Sequence, residues 1–210
     1  MSDISRALQE PWPDLELQRE GVNFGIWVFL ASEVLFFSGL FITYAVYRYF
    51  NAEAFAEAAK ETELLYGTIN TGLLLTSSVT MTIALRAATA RLRGITLAML
   101  LVSALLGCAF LACKGVEYHD DLTKHLFPGA GFPIPSPPAQ LFWTLYWIMT
   151  GIHAVHLTGG IVVVAAVAVL FWRQIIPVQG STMEGVATYW HFVDSVWLVL
   201  YPLLYLVNRS

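Results

Sequence analysis

The sequence predicts an all-α, polytopic membrane protein: a helical bundle with five transmembrane helices. Three observations lead there. Of the 210 residues, 57% are apolar and 12% charged, too few charges to cover the surface of a soluble domain of this length. The charges are also confined. Residues 64–85, 94–113 and 126–172 hold no Asp, Glu, Lys or Arg, while residues 21–47 and 185–207 each hold one acid and no base. Each run reaches the roughly 20 residues that cross the hydrocarbon core of a bilayer.

The spans are read at residues 22–50, 66–90, 93–118, 139–173 and 184–208. Backbone groups in lipid must bond internally, so these runs are helices. Residues 1–21 form a polar, acidic N-terminal arm with Pro11 and Pro13; it lacks the apolar centre of a signal peptide, so the first span is expected to insert uncleaved. Residues 22–208 form a single five-helix domain. The connector NAEAFAEAAKETE is Ala/Glu-rich and reads as a helix at the membrane surface. The fourth apolar run is too long for one helix, but FPGAGFPIPSPPAQ carries Pro128, Pro133, Pro135, Pro137 and Pro138, which makes it a surface loop before the fourth span.

Thr68, Gly72, Thr76, Thr80 and Ala84 recur every four residues along the second span, and Gly151, Gly159 and Gly160 mark the fourth. Small and hydroxyl residues let helices approach closely, so these positions predict a tight bundle. Cys108 and Cys113 are five apart and point in different directions, which suggests small core residues rather than a disulfide or metal pair. No basic stripe, phosphate loop or dinucleotide fingerprint points to nucleic acid or nucleotide binding.

Orientation follows from Lys and Arg near the span ends. Arg86, Arg91 and Arg93 cluster between the second and third spans, with Arg6 and Arg19 in the arm; Arg48, Lys60, Lys114, Lys124 and Arg209 fall on the other side. The compact Arg cluster places the N-terminus in the cytoplasm and the C-terminus outside.

Ionisable residues inside spans are functional candidates by default, although many only join helices. Glu33 lies about 12 Å into the first span at 1.5 Å per residue. It is either a neutral acid bonding two helices or a proton- or lipid-linked carboxyl. His153 and His156 are three apart on one face, the spacing of a metal half-site or haem ligands. Haem ligation would want a second His pair on a facing helix, and a metal site would want Glu or Cys ligands converging on these two, which Glu33, Glu117 and Asp194 could supply only if the fold gathers them; structural or lipid-contacting histidines are favoured and no metal or cofactor is assigned. His191 and Asp194 repeat the spacing and read as a hydrogen-bonded pair beside an aromatic belt of Tyr189, Trp190 and Trp197. Glu117 closes the third span in KGVEYHDD, where a carboxylate opposes the helix dipole; a hydrated, charged boundary is expected.

Taken in order, FLASEVLFFSGLF, KGVEY, TGIHAVHLTGG and YWHFVDSVWLVLY resemble subunit III of the haem–copper oxidases, the cytochrome c and quinol oxidases of respiration. Each string is a weak signal; four in this order cover most of the chain. The resemblance implies a subunit with no metal or catalytic centre of its own, packed on subunit I, which carries the haems and copper, with subunit II and small subunits nearby. It implies bound phospholipid, support of proton uptake and turnover, and a bacterial inner membrane. It maps the family's membrane carboxylate onto Glu33 and its lipid- or subunit-contacting polar positions onto Glu117, His153, His156, His191 and Asp194. Longer relatives have seven helices, the first two forming one wall of a lipid cleft; those two have no counterpart in this sequence, so the resemblance implies the short five-helix form and puts a cleft of that kind in doubt unless another chain supplies the wall. An Ala also replaces the Gly usual between the two histidines. The alternatives are the related small subunit of nitric oxide reductases, a stand-alone transporter or channel using Glu33 and Asp194, and a haem-binding membrane cytochrome.

Overall fold

The computed structural model describes residues 15–129, 131–175 and 180–206. Most of the N-terminal arm, Arg6, Arg209 and the expected last residues of the fifth span lie outside them. Six helices follow: α1 (Leu15–Phe50), α2 (Ala52–Lys60), α3 (Leu64–Thr89), α4 (Arg93–Thr123), α5 (Pro137–Trp172) and α6 (Ser181–Tyr205). Four of them, α1 from Glu20 onward, α3, α4 and α5, are long and apolar enough to cross a membrane. The fifth expected span corresponds to α6, which falls outside that set and interrupts its apolar sequence with Glu184, His191 and Asp194.

Helix α3 packs on α4, α4 on α5, α5 on α6, and α6 back on α3, closing a four-helix ring. Helix α1 leans on the outside of that ring against α6 and, more sparsely, α5. Leu74, Met81, Leu100, Phe110, Leu157, Val164, Trp190 and Trp197 fill the ring interior. The α3–α4 link is three residues long, with Arg91 at φ 59°. Arg93 Nη2 donates to the carbonyls of Phe171 and Trp172 at 2.7 Å each, so a guanidinium closes the C-terminus of α5, where the helix dipole favours a cation. The Pro-rich segment is non-helical up to Ser136, and Pro137 and Pro138 occupy the first turn of α5, where a missing N–H leaves no bond unmade.

Several expectations are corrected. Helix α4 continues through EYHDD to Thr123, so Glu117 lies inside the helix and not at its end. Helix α2 forms within the connector as expected, and its Phe55, Ala58 and Ala59 are buried as it packs against α5 and α6. The packed face of α3 is Gly67, Asn70, Leu74, Ser77, Met81 and Ala84, while Thr68, Gly72 and Thr76 face outward. A four-residue step advances about 40° beyond a full turn, so a strict four-residue stripe drifts off the contact seam, whereas alternating steps of three and four stay on it. In α5, Gly160 sits under Tyr189 and Trp190, but Gly151 has open space beside it. Cys108 is exposed and Cys113 half-buried, so neither is a core residue. Trp190 and Trp197 are buried in the ring and do not form an interfacial belt. Each donates its indole N–H to α3, Trp190 to Ser77 Oγ at 2.8 Å and Trp197 to Thr71 Oγ1 at 3.1 Å.

The seam explains which glycines matter. A Cβ at Gly67 would lie 2.8 Å from Cδ1 of the buried Tyr205 ring, whereas one at Gly72 would meet nothing within 4 Å. Gly67→Ala is therefore expected to destabilise the protein by about 1–3 kcal/mol through overpacking, while Gly72→Ala is neutral or slightly stabilising. Thermal unfolding of the two variants in one detergent checks this; equal melting temperatures would contradict the packing described.

Candidate functional site

Two polar sites lie where water is scarce. The first joins α1 to α5. Glu33 is near the midpoint of the 36-residue α1 and His156 near the midpoint of the 36-residue α5, and His156 Nε2 is 2.8 Å from Glu33 Oε2. His156 Nδ1 faces the Ile152 carbonyl at 2.8 Å. A carbonyl only accepts, so Nδ1 carries a hydrogen and one further proton lies between Nε2 and the carboxyl. Whether that proton resides on nitrogen or oxygen, the pair has no net charge, which suits a position that strongly penalises isolated charge. Phe36 and Phe37 flank the imidazole with ring centroids at 6.4 and 5.1 Å. The pair is not sealed: the side chains of His156 and Glu33 retain 20% and 17% exposure.

The second site is fully enclosed. Lys114, Glu117 and Asp121 fall on one face of α4 at steps of three and four, and all three are buried. Lys114 Nζ donates to Glu117 Oε2 at 3.0 Å, Tyr146 Oη at 2.9 Å and Tyr205 Oη at 2.6 Å, using all three ammonium hydrogens. Tyr205 donates to Glu117 Oε1 at 2.6 Å. Tyr146 Oη is 2.8 Å from Glu117 Oε1 and 2.9 Å from Asp121 Oδ2. One cluster thus pins α4, α5 and α6 together. Its outer edge is solvated: Tyr66 donates to Asp120 Oδ2 at 3.1 Å, and Lys124 pairs with Glu63 at 2.7 Å. The Glu63 carboxylate holds the Lys124 ammonium above the usual lysine range, but both side chains are about half exposed and the pair contributes little to stability.

The remaining candidates separate. His153 and His156 do not act as a pair. His153 turns into the core between Phe110 and Trp197, with ring centroids at 5.6 and 5.3 Å and no hydrogen bond to either nitrogen. His191 does not bond Asp194 but faces α3, with Ser78 Oγ 2.8 Å from Nδ1 and Thr82 Oγ1 3.4 Å from Nε2. The Ser78 hydroxyl lies close to the buried Asp194, but among the described residues neither carboxyl oxygen meets a partner at hydrogen-bond distance and angle. Glu117 is the clearest correction, because the expected hydrated boundary is a sealed ion-pair cluster. Lys114, counted above as a loop charge, is 2% exposed inside the bundle. Among the described residues, no group of three or more His, Cys, Asp or Glu side chains is placed to hold a metal ion.

A ring of long apolar helices with one neutral pair at its flank and one neutralised cluster in its core is the build of a polytopic membrane subunit. The family model for cytochrome c oxidase subunit III matches residues 14–208, and the chain belongs to that family. It is 30% identical over 187 residues to the cytochrome bo(3) ubiquinol oxidase subunit 3 of Pseudomonas aeruginosa, covering 88% of this chain and 84% of that one. It is 33% identical over 207 residues to the cytochrome c oxidase subunit 3 of a Synechocystis species, covering 93% and 77%. The quinol oxidase subunit 3 of Bacillus subtilis is 30% identical, with 88% and 86% covered. The chain is an accessory subunit III of a haem–copper oxidase, and these names favour that over a nitric oxide reductase subunit or a transporter.

Lys114, Asp121, Tyr146 and Tyr205 were not singled out in the sequence. The steps Lys114–Glu117–Asp121 in KGVEYHDD could have revealed a common face, since opposite charges three and four apart meet on a helix. The tyrosines come from α5 and α6, and no local spacing signals them. Removing the cation tests the cluster. Lys114→Met is expected to cost about 3–5 kcal/mol by stranding a buried carboxylate. Adding Glu117→Leu to Lys114→Met should recover most of that loss in thermal unfolding, and a double variant no more stable than the single one would contradict the pairing.

Proposed function

We propose that this chain is the non-redox subunit of a proton-pumping oxidase that reduces O2 to water in a bacterial inner membrane. It covers a flank of subunit I, holds phospholipid there and sustains proton uptake during turnover. The haems and copper belong to subunit I, and subunit II and small subunits complete the complex. The observation that carries this reading is the Glu33–His156 pair, which is electrically neutral, set at the midpoints of two apolar helices, and open by 17–20% on the outer flank of the ring. An enclosed pair would serve packing alone. A partly open one can exchange its proton or meet a lipid or a neighbouring subunit.

The outer surface supports the same arrangement. Phe24, Trp27, Leu35 and Ile42 of α1 are between 64% and 74% exposed, an apolar face suited to subunit I or to acyl chains. A groove of about 490 Å³ between α1, α5 and α6 is lined by Val22, Ile26, Phe29, Gly159, Val163 and Tyr189, and its apolar walls suit a lipid chain. Helix α6 serves as the fifth span: its 25 residues rise about 37 Å, enough to cross, with Asp194 buried in the ring, His191 facing α3 and the exposed Glu184 in the first turn at the helix end. Arg86, Arg91, Arg93 and Arg173 collect at one end of the bundle, and with Lys114 removed from the opposite tally they favour a cytoplasmic N-terminus and an outer C-terminus.

Glu33→Ala and His156→Ala, introduced separately into the oxidase, should leave haem content and assembly intact and shorten the enzyme's working life during turnover by a similar, severalfold factor. Haem absorbance and activity decay under continuous turnover measure both. Loss of haem from either variant would instead indicate an assembly role.

A further inference from the structure

The buried Lys114 cluster holds six polar contacts of 3.0 Å or less: three from Lys114 Nζ, one from Tyr205 to Glu117, and one each from Tyr146 Oη to Glu117 and Asp121. As full, unshared hydrogen bonds they require one hydrogen each. With both carboxyls ionised, the ammonium supplies three and the two phenols one each, which is five hydrogens for six contacts. The missing hydrogen belongs to a carboxyl, since water does not reach the site: Lys114, Glu117 and Asp121 are at most 2% exposed and Tyr146 and Tyr205 are fully buried.

Geometry decides which carboxyl carries it. Glu117 meets the ammonium directly at 3.0 Å and accepts the Tyr205 hydrogen at 2.6 Å, both of which favour its ionised form. The Asp121 carboxyl has only the Tyr146 hydroxyl at 2.9 Å within hydrogen-bond reach in the cluster and does not touch Lys114. We propose that Asp121 is a neutral carboxylic acid donating to Tyr146 Oη, which donates on to Glu117, so that the cluster is a buried binding site for one proton. The site then contains one ammonium, one carboxylate and one neutral acid, and its net charge is zero. Unlike the Glu33–His156 pair, it lies inside the ring, towards the end of the bundle where Lys124 and Glu63 meet solvent.

Infrared spectroscopy of the intact oxidase complex, grown with carboxyl-13C aspartate, tests this. Wild type minus Asp121→Asn should show the loss of one neutral-acid C=O band that carries the isotope shift, and Asp194→Asn, at the other aspartate buried among the described residues, should leave that band in place. The proposal fails if Asp121→Asn removes only ionised-carboxylate stretches, or if the acid band disappears with Glu117→Gln and survives Asp121→Asn. Should Asp121→Asn not assemble, Tyr146→Phe keeps the acid and removes its acceptor. The labelled band should then shift in frequency, and an unshifted band overturns the assignment.

Discussion

Lys114 is the constraint around which the bundle is arranged. A lysine ammonium deep between apolar helices is tolerable only if each of its three hydrogens finds an acceptor and a counter-charge lies beside it. Glu117 supplies the charge, and the Tyr146 and Tyr205 hydroxyls supply the other acceptors. Because those tyrosines come from α5 and α6, satisfying one side chain of α4 fixes the spacing and rotation of three helices. The same requirement places Gly67 of α3 against Tyr205, since only a glycine lets α3 approach the ring that Lys114 has positioned. Such a cluster contributes less to net stability than its bonds suggest, and its value here lies in specifying one arrangement of helices that apolar contacts alone would leave less well determined.

The Glu33–His156 pair obeys the same physics with a different outcome. It too is neutral, but it joins the ring to α1, a helix whose apolar window is only 11% buried. Tyr44, which donates to the Leu203 carbonyl at 2.5 Å, makes a second link to α6. Few buried contacts and a wide apolar outer face make α1 the part of the chain whose position most depends on what surrounds it, lipid or another subunit. The rigid ring and the peripheral helix thus divide structural and exposed roles between two proton-bearing sites.

Much of this was legible in the sequence, and the failures have physical causes. Charge-free runs identified the helices, since lipid removes every alternative to internal backbone bonding. The Pro-rich loop and the three-residue Arg turn were equally clear, because both arise from local backbone chemistry. Glu33 and His156 were each recognisable as costly polar residues in apolar spans, yet nothing local joins two residues 123 apart. Glu117 was misplaced because the helix was ended at the first charged cluster, although Lys114 pairs with Glu117 and Tyr146 bonds Asp121 on the same face, which lets α4 continue. His191 and Asp194 share a spacing but not a bond: Ser78 and Thr82 of the neighbouring helix reach the imidazole. Spacing says which side chains can meet on one helix, and the neighbouring helices decide whether they do.

The proposed role requires the chain to hold lipid on the flank of a larger catalytic assembly without a redox centre of its own. Native mass spectrometry of the complex, extracted gently with its lipids, tests that most directly. The predicted result is a single assembly containing this chain, a haem- and copper-bearing subunit I and retained phospholipid, with no haem or metal on this chain once it is released. Finding the chain alone, or bound to a catalytic subunit that is not an oxygen-reducing oxidase, would contradict it.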